Sequence, residues 1–263
     1  MASLLARGLC MGLLSVMVAV AAMAAERIPL YTYYADPPFA ADSPDSLTDR
    51  LADWLTQRAH GRYRFVPTQL PRRRLDVLIH QPHWPGVVVW ANPDWFGESS
   101  KPRQSWTRSY MADANLVVSL RSDPIDFVDD RSLEGRRVGS VLGYLYPDLD
   151  QLIKSGRLTR DDANSEFQNL LKLKLGRVHV AFLQASSFPY FRQREPDMAE
   201  WAYVAPKPRT VFERSMFVAP GQPELLAFLN VQLDALVEDR DWQGRLGTCA
   251  LIGPASAKSR LCR

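Results

Sequence analysis

The sequence predicts an α/β protein built as two lobes. Short apolar runs alternate with amphipathic stretches, and the alternation occurs as two separate series. Alternation of this kind places helices against a mostly parallel sheet, and two series in a chain of 263 residues suit two lobes better than one layer.

Residues 27–34 are apolar and aromatic and predict the first strand, stopped by Asp36-Pro37-Pro38 because proline cannot continue a ladder. Residues 46–58 follow as a helix, with Ser46 placed to cap it and Leu47, Leu51, Trp54 and Leu55 on one face. Residues 63–67 form a strand, 72–80 a helix with Leu75, Leu78 and Ile79 inward, and 86–90 a buried strand around Val87-Val88-Val89. The second series opens with a strand at 115–120. It continues through a turn or short helix at 132–135, a strand at 137–141 and a helix at 149–154. A strongly apolar helix at 167–175 is closed by Gly176 in the position after its last turn. Strands at 178–183, 202–204 and 211–218, a helix start at 188–194 and an amphipathic helix at 223–237 complete the pattern.

Residues 1–24 predict a secretory leader. Arg7 is the one charge before Glu26, the stretch 9–23 is apolar, and Ala22-Met23-Ala24 supplies small residues for cleavage. A membrane anchor is the alternative; the apolar stretch falls short of the roughly 20 residues a span needs. Past the leader the chain keeps Cys249 and Cys262, which in an oxidising compartment predicts one disulfide, with two free thiols as the alternative. With 32 basic against 29 acidic residues the charge is nearly balanced, which argues against a dedicated nucleic-acid binder. No cofactor or metal is expected: His80 and His83 are too few for a metal and Pro82 separates them, and His179 sits in a buried-strand pattern as a core histidine. No Gly-x-Ser-x-Gly elbow is present, and Asp129-Asp130 and Asp161-Asp162 fall in polar, loop-like segments as solvated acids.

Ligands of open α/β sheets bind beyond the carboxyl ends of strands, and a cleft between lobes is the natural place for one. Tyr34 and Phe39 after the first strand, and Trp90, Asn92 and Trp95 after the third, are the candidate aromatic and amide walls. In Arg72-Arg73-Arg74, a solvated run or an anion clamp, Arg74 is the residue expected to face inward. The turn from Gly139 to Tyr144 offers backbone N–H groups for an anion or serves only the chain reversal.

Four segments together carry a family resemblance. Tyr34-Ala35-Asp36-Pro37-Pro38-Phe39 is similar to a strand followed by a Pro-Phe loop. Trp106-Thr107-Arg108-Ser109-Tyr110 is similar to an aromatic-Ser-x-Pro-Tyr segment. Ser132-Leu133-Glu134-Gly135-Arg136-Arg137-Val138-Gly139, followed by Gly143, is similar to Leu-x-Gly-Lys-x-Val-Gly, and residues 171–183 to a helix, Leu-x-x-Gly-Arg-Val and a strand. In this order they resemble the bacterial extracellular solute-binding proteins of family 3, with the type II periplasmic binding fold of polar amino-acid binders. The resemblance implies two lobes, each a mixed sheet flanked by helices, joined by two hinge crossovers. Residues 25–114 and 215–263 would form lobe one and 115–214 lobe two. It implies a monomeric periplasmic protein that captures a small polar or anionic, amino-acid-like ligand for an ABC permease. A membrane sensor is the alternative partner, and a cyclohexadienyl-dehydratase-like enzyme the alternative activity on the same fold. For ligand contact it points to Arg103, with Arg108 as competitor. It also points to Gln184, which stands where the family has a carboxylate, and to Gly143-Tyr144, which stand where it has Gly-Thr.

Overall fold

The computed structural model describes residues 24–43, 46–96 and 105–245. The apolar stretch of the expected leader, Arg103, Cys249 and Cys262 lie outside the described residues. No helix among the described residues is long and apolar enough to cross a membrane.

The first series folds as β1 (Glu26–Thr32), α1 (Leu47–Arg58), β2 (Tyr63–Gln69), α2 (Arg72–Ile79) and β3 (Val87–Ala91). β1 lies between β2 and β3, parallel to both, as two βαβ units require. Ser46 accepts the Asp49 N–H at 3.1 Å and starts α1, whose Leu47, Leu51 and Leu55 are buried against the sheet. Gly86, at φ +100°, sets β3 beside β1; a Cβ there would stand 2.4 Å from the Pro29 carbonyl oxygen.

The chain continues through β4 (Ser105–Trp106) and β5 (Met111–Leu120), a 3-10 turn over Asp130–Leu133, and β6 (Arg137–Val141). Then follow α3 (Asp150–Lys154), β7 (Thr159–Ala163), α4 (Glu166–Lys174), β8 (Val180–Gln184), α5 (Phe188–Arg194) and α6 (Met198–Trp201). The last elements are β9 (Ala202–Val204), β10 (Thr210–Val218), α7 (Pro223–Glu238) and α8 (Arg240–Arg245). Three expectations are corrected. β7 was not foreseen, and it contains Asp161 and Asp162; it is a polar edge strand that pairs only with β6 and so carries no apolar alternation. β5 begins at Met111 and not at 115, because its first residues pair with β10. His179 is exposed and precedes β8; its Nδ1 accepts the Arg137 N–H at 2.9 Å.

The strands run in the order β2-β1-β3-β10-β5-β8-β6-β7, with β4 on β10 and β9 on β5. β10 joins the two parts. Its residues Thr210–Arg214 pair antiparallel with Asn115–Met111 of β5, and its residues from Ser215 to Val218 pair with β3 and β4. The molecule is therefore a two-lobed α/β structure. One core is built on β1–β3 with α1, α2 and α7, and two smaller cores cover the faces of the β5-β8-β6 region. Phe167, Leu170 and Leu173 of α4 fill one of those faces, and Leu133, Leu149 and Leu152 the other.

Candidate functional site at the lobe junction

At the point where β10 changes partners sits Arg214, fully buried although its neighbour Glu213 is exposed. Its guanidinium makes five hydrogen bonds and so spends every donor it has. Nη1 donates to Tyr34 Oη and to the Trp90 carbonyl, each at 2.7 Å. Nη2 donates to Asp113 Oδ2 and to Gln184 Oε1, each at 2.6 Å, and Nε donates to Asp113 Oδ2 at 3.1 Å. Asp113 lies on β5 opposite Phe212, one pleat repeat from Arg214, and is as deeply buried. Ser186 Oγ (2.7 Å) and the N–H groups of Ala114 and Ser186 complete its shell. The pair thus ties the two crossing strands to β1, β3 and β8. Trp90 serves it with its backbone: a positive φ of 60°, uncommon for a bulky residue, accompanies a carbonyl directed at the Arg214 guanidinium.

Beside this pair, between the lobes, lies a cavity of about 30 Å³. Tyr33, Tyr34, Tyr144, Glu166, Gln184 and Arg209 are among its lining residues. Wider grooves open on either side. One of about 540 Å³ shares Trp95, Leu145 and Arg209 with the cavity, and one of about 330 Å³ shares Tyr33, Arg72 and Tyr144. The second lobe reaches the first directly. Gly143, at φ +85°, packs on α2, and a Cβ there would come within 3.2 Å of Arg73 Cγ and 3.3 Å of Arg72 Cβ. Asp36, from the loop after β1, accepts the N–H groups of Glu166 (2.8 Å) and Phe167 (3.3 Å) at the start of α4. That is the favourable end of a helix for a carboxylate.

Glu166 is the titratable group that stands out. It is buried, and its Oε2 accepts the Gln184 N–H at 2.8 Å. Burial pushes its carboxyl up to about 8, and the nearby Asp36 and Asp113 act in the same direction, against the Gln184 amide and Arg214. Asp36 is also raised, by burial that outweighs its two amide bonds.

The expected site residues divide into three sets. Tyr34, Trp95, Tyr144 and Gln184 converge on the cavity, with Gly143 at its border. Asn92 lines the larger groove, its Nδ2 donating to the Glu213 carbonyl at 2.9 Å. Phe39 and Trp90 do not reach the cleft. They are fully buried, 4.8 Å apart, and back the Arg214 guanidinium, which lies 4.4 Å over the Phe39 ring; Trp90 Nε1 donates to Thr48 Oγ1. Arg74 is exposed at the edge of the smaller groove, and Arg72 is the inward one: its Nε pairs with Asp76 at 2.8 Å and its guanidinium stacks on Phe96. The difference follows from helical spacing, which places Arg72 on the face of Leu75 and Ile79. Arg108 turns away from the cleft onto α7, pairing with Asp234 and donating to the Asn230 carbonyl at 3.2 Å. Sequence reasoning missed Arg214, Asp113, Glu166 and Arg209. Asp113 carried a signal: a single charge inside a largely apolar strand asks for a buried partner.

Comparison of the fold with solved structures places this geometry. The chain has the fold of the family 3 solute-binding proteins. An ancestral arginine-binding protein bound to arginine superposes with a TM-score of 0.67 at 15% identity, covering 84% of this chain and 97% of that one. The substrate-binding protein of an amino acid ABC transporter gives 0.64 at 14% identity over 84% and 97%. A Salmonella typhimurium periplasmic binding protein with high arginine specificity gives 0.62 at 15% over the same shares. No protein-family model matches the chain, and no curated protein sequence matches it.

Proposed function

We propose that this protein is a periplasmic solute-binding protein that takes a small polar ligand between its lobes and closes on it by hinge motion, without turning it over. The observation that carries the reading is the cavity at the junction. Both lobes contribute polar side chains to it, and wider grooves flank it as routes of access. Hinge motion is assigned to β5 near Ala114 and to β10 between Arg214 and Ser215, where the strand changes partners. Tyr34, Trp95, Tyr144 and Gln184 are assigned to ligand contact. An ABC permease, or a membrane sensor in its place, would read the closed form of the monomer. The solved structures named above are binding proteins, one of them from an ABC transporter, which supports this role over an enzymatic one.

A thermal-shift screen of the protein against amino acids, amines, organic acids and short peptides tests the reading. A solute at a hundred times its Kd adds about 2.7 kcal/mol of stability. The expected result is a rise in Tm with at least one solute, abolished by Gln184→Ala. No shift with any solute, together with small-angle scattering unchanged by any of them, refutes it.

A further inference from the structure

The cavity and its two grooves make one run across the junction, and the two ends of that run differ in charge. The cavity shares lining residues with each groove and is the narrow middle part, about 30 Å³ against about 540 Å³ and 330 Å³. Three carboxylates line the larger groove, those of Asp94, Asp148 and Asp150. Its one base, Arg209, is already paired with Asp148, and the partner of Asp150 is the exposed Lys154 at 3.3 Å. The smaller groove is lined by Arg72, Arg73 and Arg74 and by no acid. Arg72 is paired with Asp76, whereas Arg73 and Arg74 are exposed and form no ion pair among the described residues. Both stand in the first turn of α2, which starts at Pro71 without a capping side chain. Two guanidinium groups and an uncapped helix start favour a carboxylate. Apolar groups make up much of the remaining walls, Leu145 and Phe212 in one groove and Leu70 and Leu142 in the other.

The middle is polar, but its charges are already matched. Arg72, Arg209 and Arg214 each have a carboxylate partner, and Glu166, with its carboxyl at about 8, is mostly uncharged at neutral pH. Hydrogen-bonding capacity is nevertheless left over there. The Arg209 side chain is 4% exposed, and its Nε has no acceptor. Gln184 spends its Oε1 on Arg214 and Asn115 its Nδ2 on Thr210, so the amide nitrogen of the first and the amide oxygen of the second remain unused. Arg209, Gln184 and Asn115 all line the cavity.

From this distribution we infer that the ligand is a short peptide lying extended across the junction, with its amino terminus in the larger groove, its carboxylate against Arg73 and Arg74, and a peptide group in the cavity. The inference rests on the solute-binding reading and names its ligand class. A peptide group is uncharged and carries one acceptor and one donor. Its carbonyl accepts from Arg209 Nε or the Gln184 amide, and its N–H donates to the Asn115 amide oxygen. A free amino acid meets these walls less well. Its ammonium and carboxylate share one carbon, so they cannot lie in grooves on opposite sides of the cavity. Placed in the cavity, they would bring two charges to a wall that has no unpaired charge to offer. The apolar parts of both grooves accept the side chains on either side of the central peptide group.

Native mass spectrometry tests this at pH 7, with the protein incubated either with a mixture of the free amino acids or with the two- to five-residue fraction of a casein hydrolysate. The expected result is that at least one peptide is retained and no free amino acid is. That peptide, remade with an acetylated amino terminus or an amidated carboxyl terminus, binds tenfold or more weakly in titration calorimetry with either change. Arg73→Ala combined with Arg74→Ala weakens binding of the free-acid peptide by a similar factor and leaves the amidated peptide unaffected, a split that a poorly folded variant would not give. Retention of a free amino acid but no peptide, or a rise in Tm with some other solute only, overturns the inference and leaves the solute-binding reading standing. Blocked peptides that bind undiminished, or a double variant that weakens acid and amide alike, overturn it in the same way. Retention of nothing from either mixture, with no rise in Tm from any solute, removes both.

Discussion

Arg214 shows how one side chain can organise a junction. A guanidinium with no exposed surface is tolerated only because its charge meets Asp113 and every N–H finds an acceptor. Its acceptors come from β1's exit, β3, β5 and β8, so removing it leaves four elements with unmatched polar groups. Arg214→Met is expected to lower stability by about 3–5 kcal/mol, because it strands a buried carboxylate. The double change Arg214→Met with Asp113→Leu should be milder than the single one, since no charge remains unpaired. Urea denaturation of the three proteins measures this; a loss under about 1 kcal/mol for the single change would mean that Asp113 is solvated in solution.

At the scale of the element, helix α4 is where the lobes are latched. It is nine residues long and capped within its own lobe by Ser165, which accepts the Gln168 N–H at 3.2 Å. The two preceding donors of its first turn, Glu166 and Phe167, are satisfied across the junction by Asp36. The loop after β1 is therefore part of the second lobe's hydrogen bonding although it belongs to the first lobe's chain. Asp36→Ala is expected to cost about 0.5–2 kcal/mol, the range of a lost helix cap. It should also raise the radius of gyration measured by small-angle scattering without solute, because the contact it removes holds the lobes together. An unchanged radius and Tm would show that Gly143 and the tyrosine contacts suffice for closure.

For the whole molecule, the buried carboxyls make stability depend on pH with an unusual sign. Glu166 titrates at about 8 in the folded protein against an ordinary value of 4.5, so the folded state binds more protons than the unfolded chain between those limits. Its contribution is fully present below about pH 4.5 and is lost as pH rises through about 8. Asp36, raised from 3.8, acts in the same sense. Free of solute, the protein should show a Tm that falls between pH 5 and pH 8.5, and Glu166→Gln should flatten the slope. A Tm that rises over the same range would place Glu166 ionised in the empty protein.

The pattern of residues along the chain was enough to indicate a two-lobed α/β fold, and the four degenerate segments pointed to the solute-binding fold that the solved structures share. β3, β6, α1, α4 and α7 were legible because apolar periodicity reports which face meets a core. β7 was not, because an edge strand with polar side chains has no such face. Tyr34, Trp95, Tyr144 and Gln184, read from the sequence as polar and aromatic candidates at strand and turn ends, line the junction cavity. Arg74, Arg108, Phe39 and Trp90 show the limit of that reasoning, since residue type does not say which way a side chain turns. By itself the sequence determined the fold class and the placement of most of its elements, because these follow from local periodicity and turn chemistry. The tertiary structure alone decided which charges meet: Arg214 pairs with Asp113 across 101 residues, and Asp36 reaches Glu166 across 130. Electrostatics acts through space and burial, and neither is set by distance along the chain.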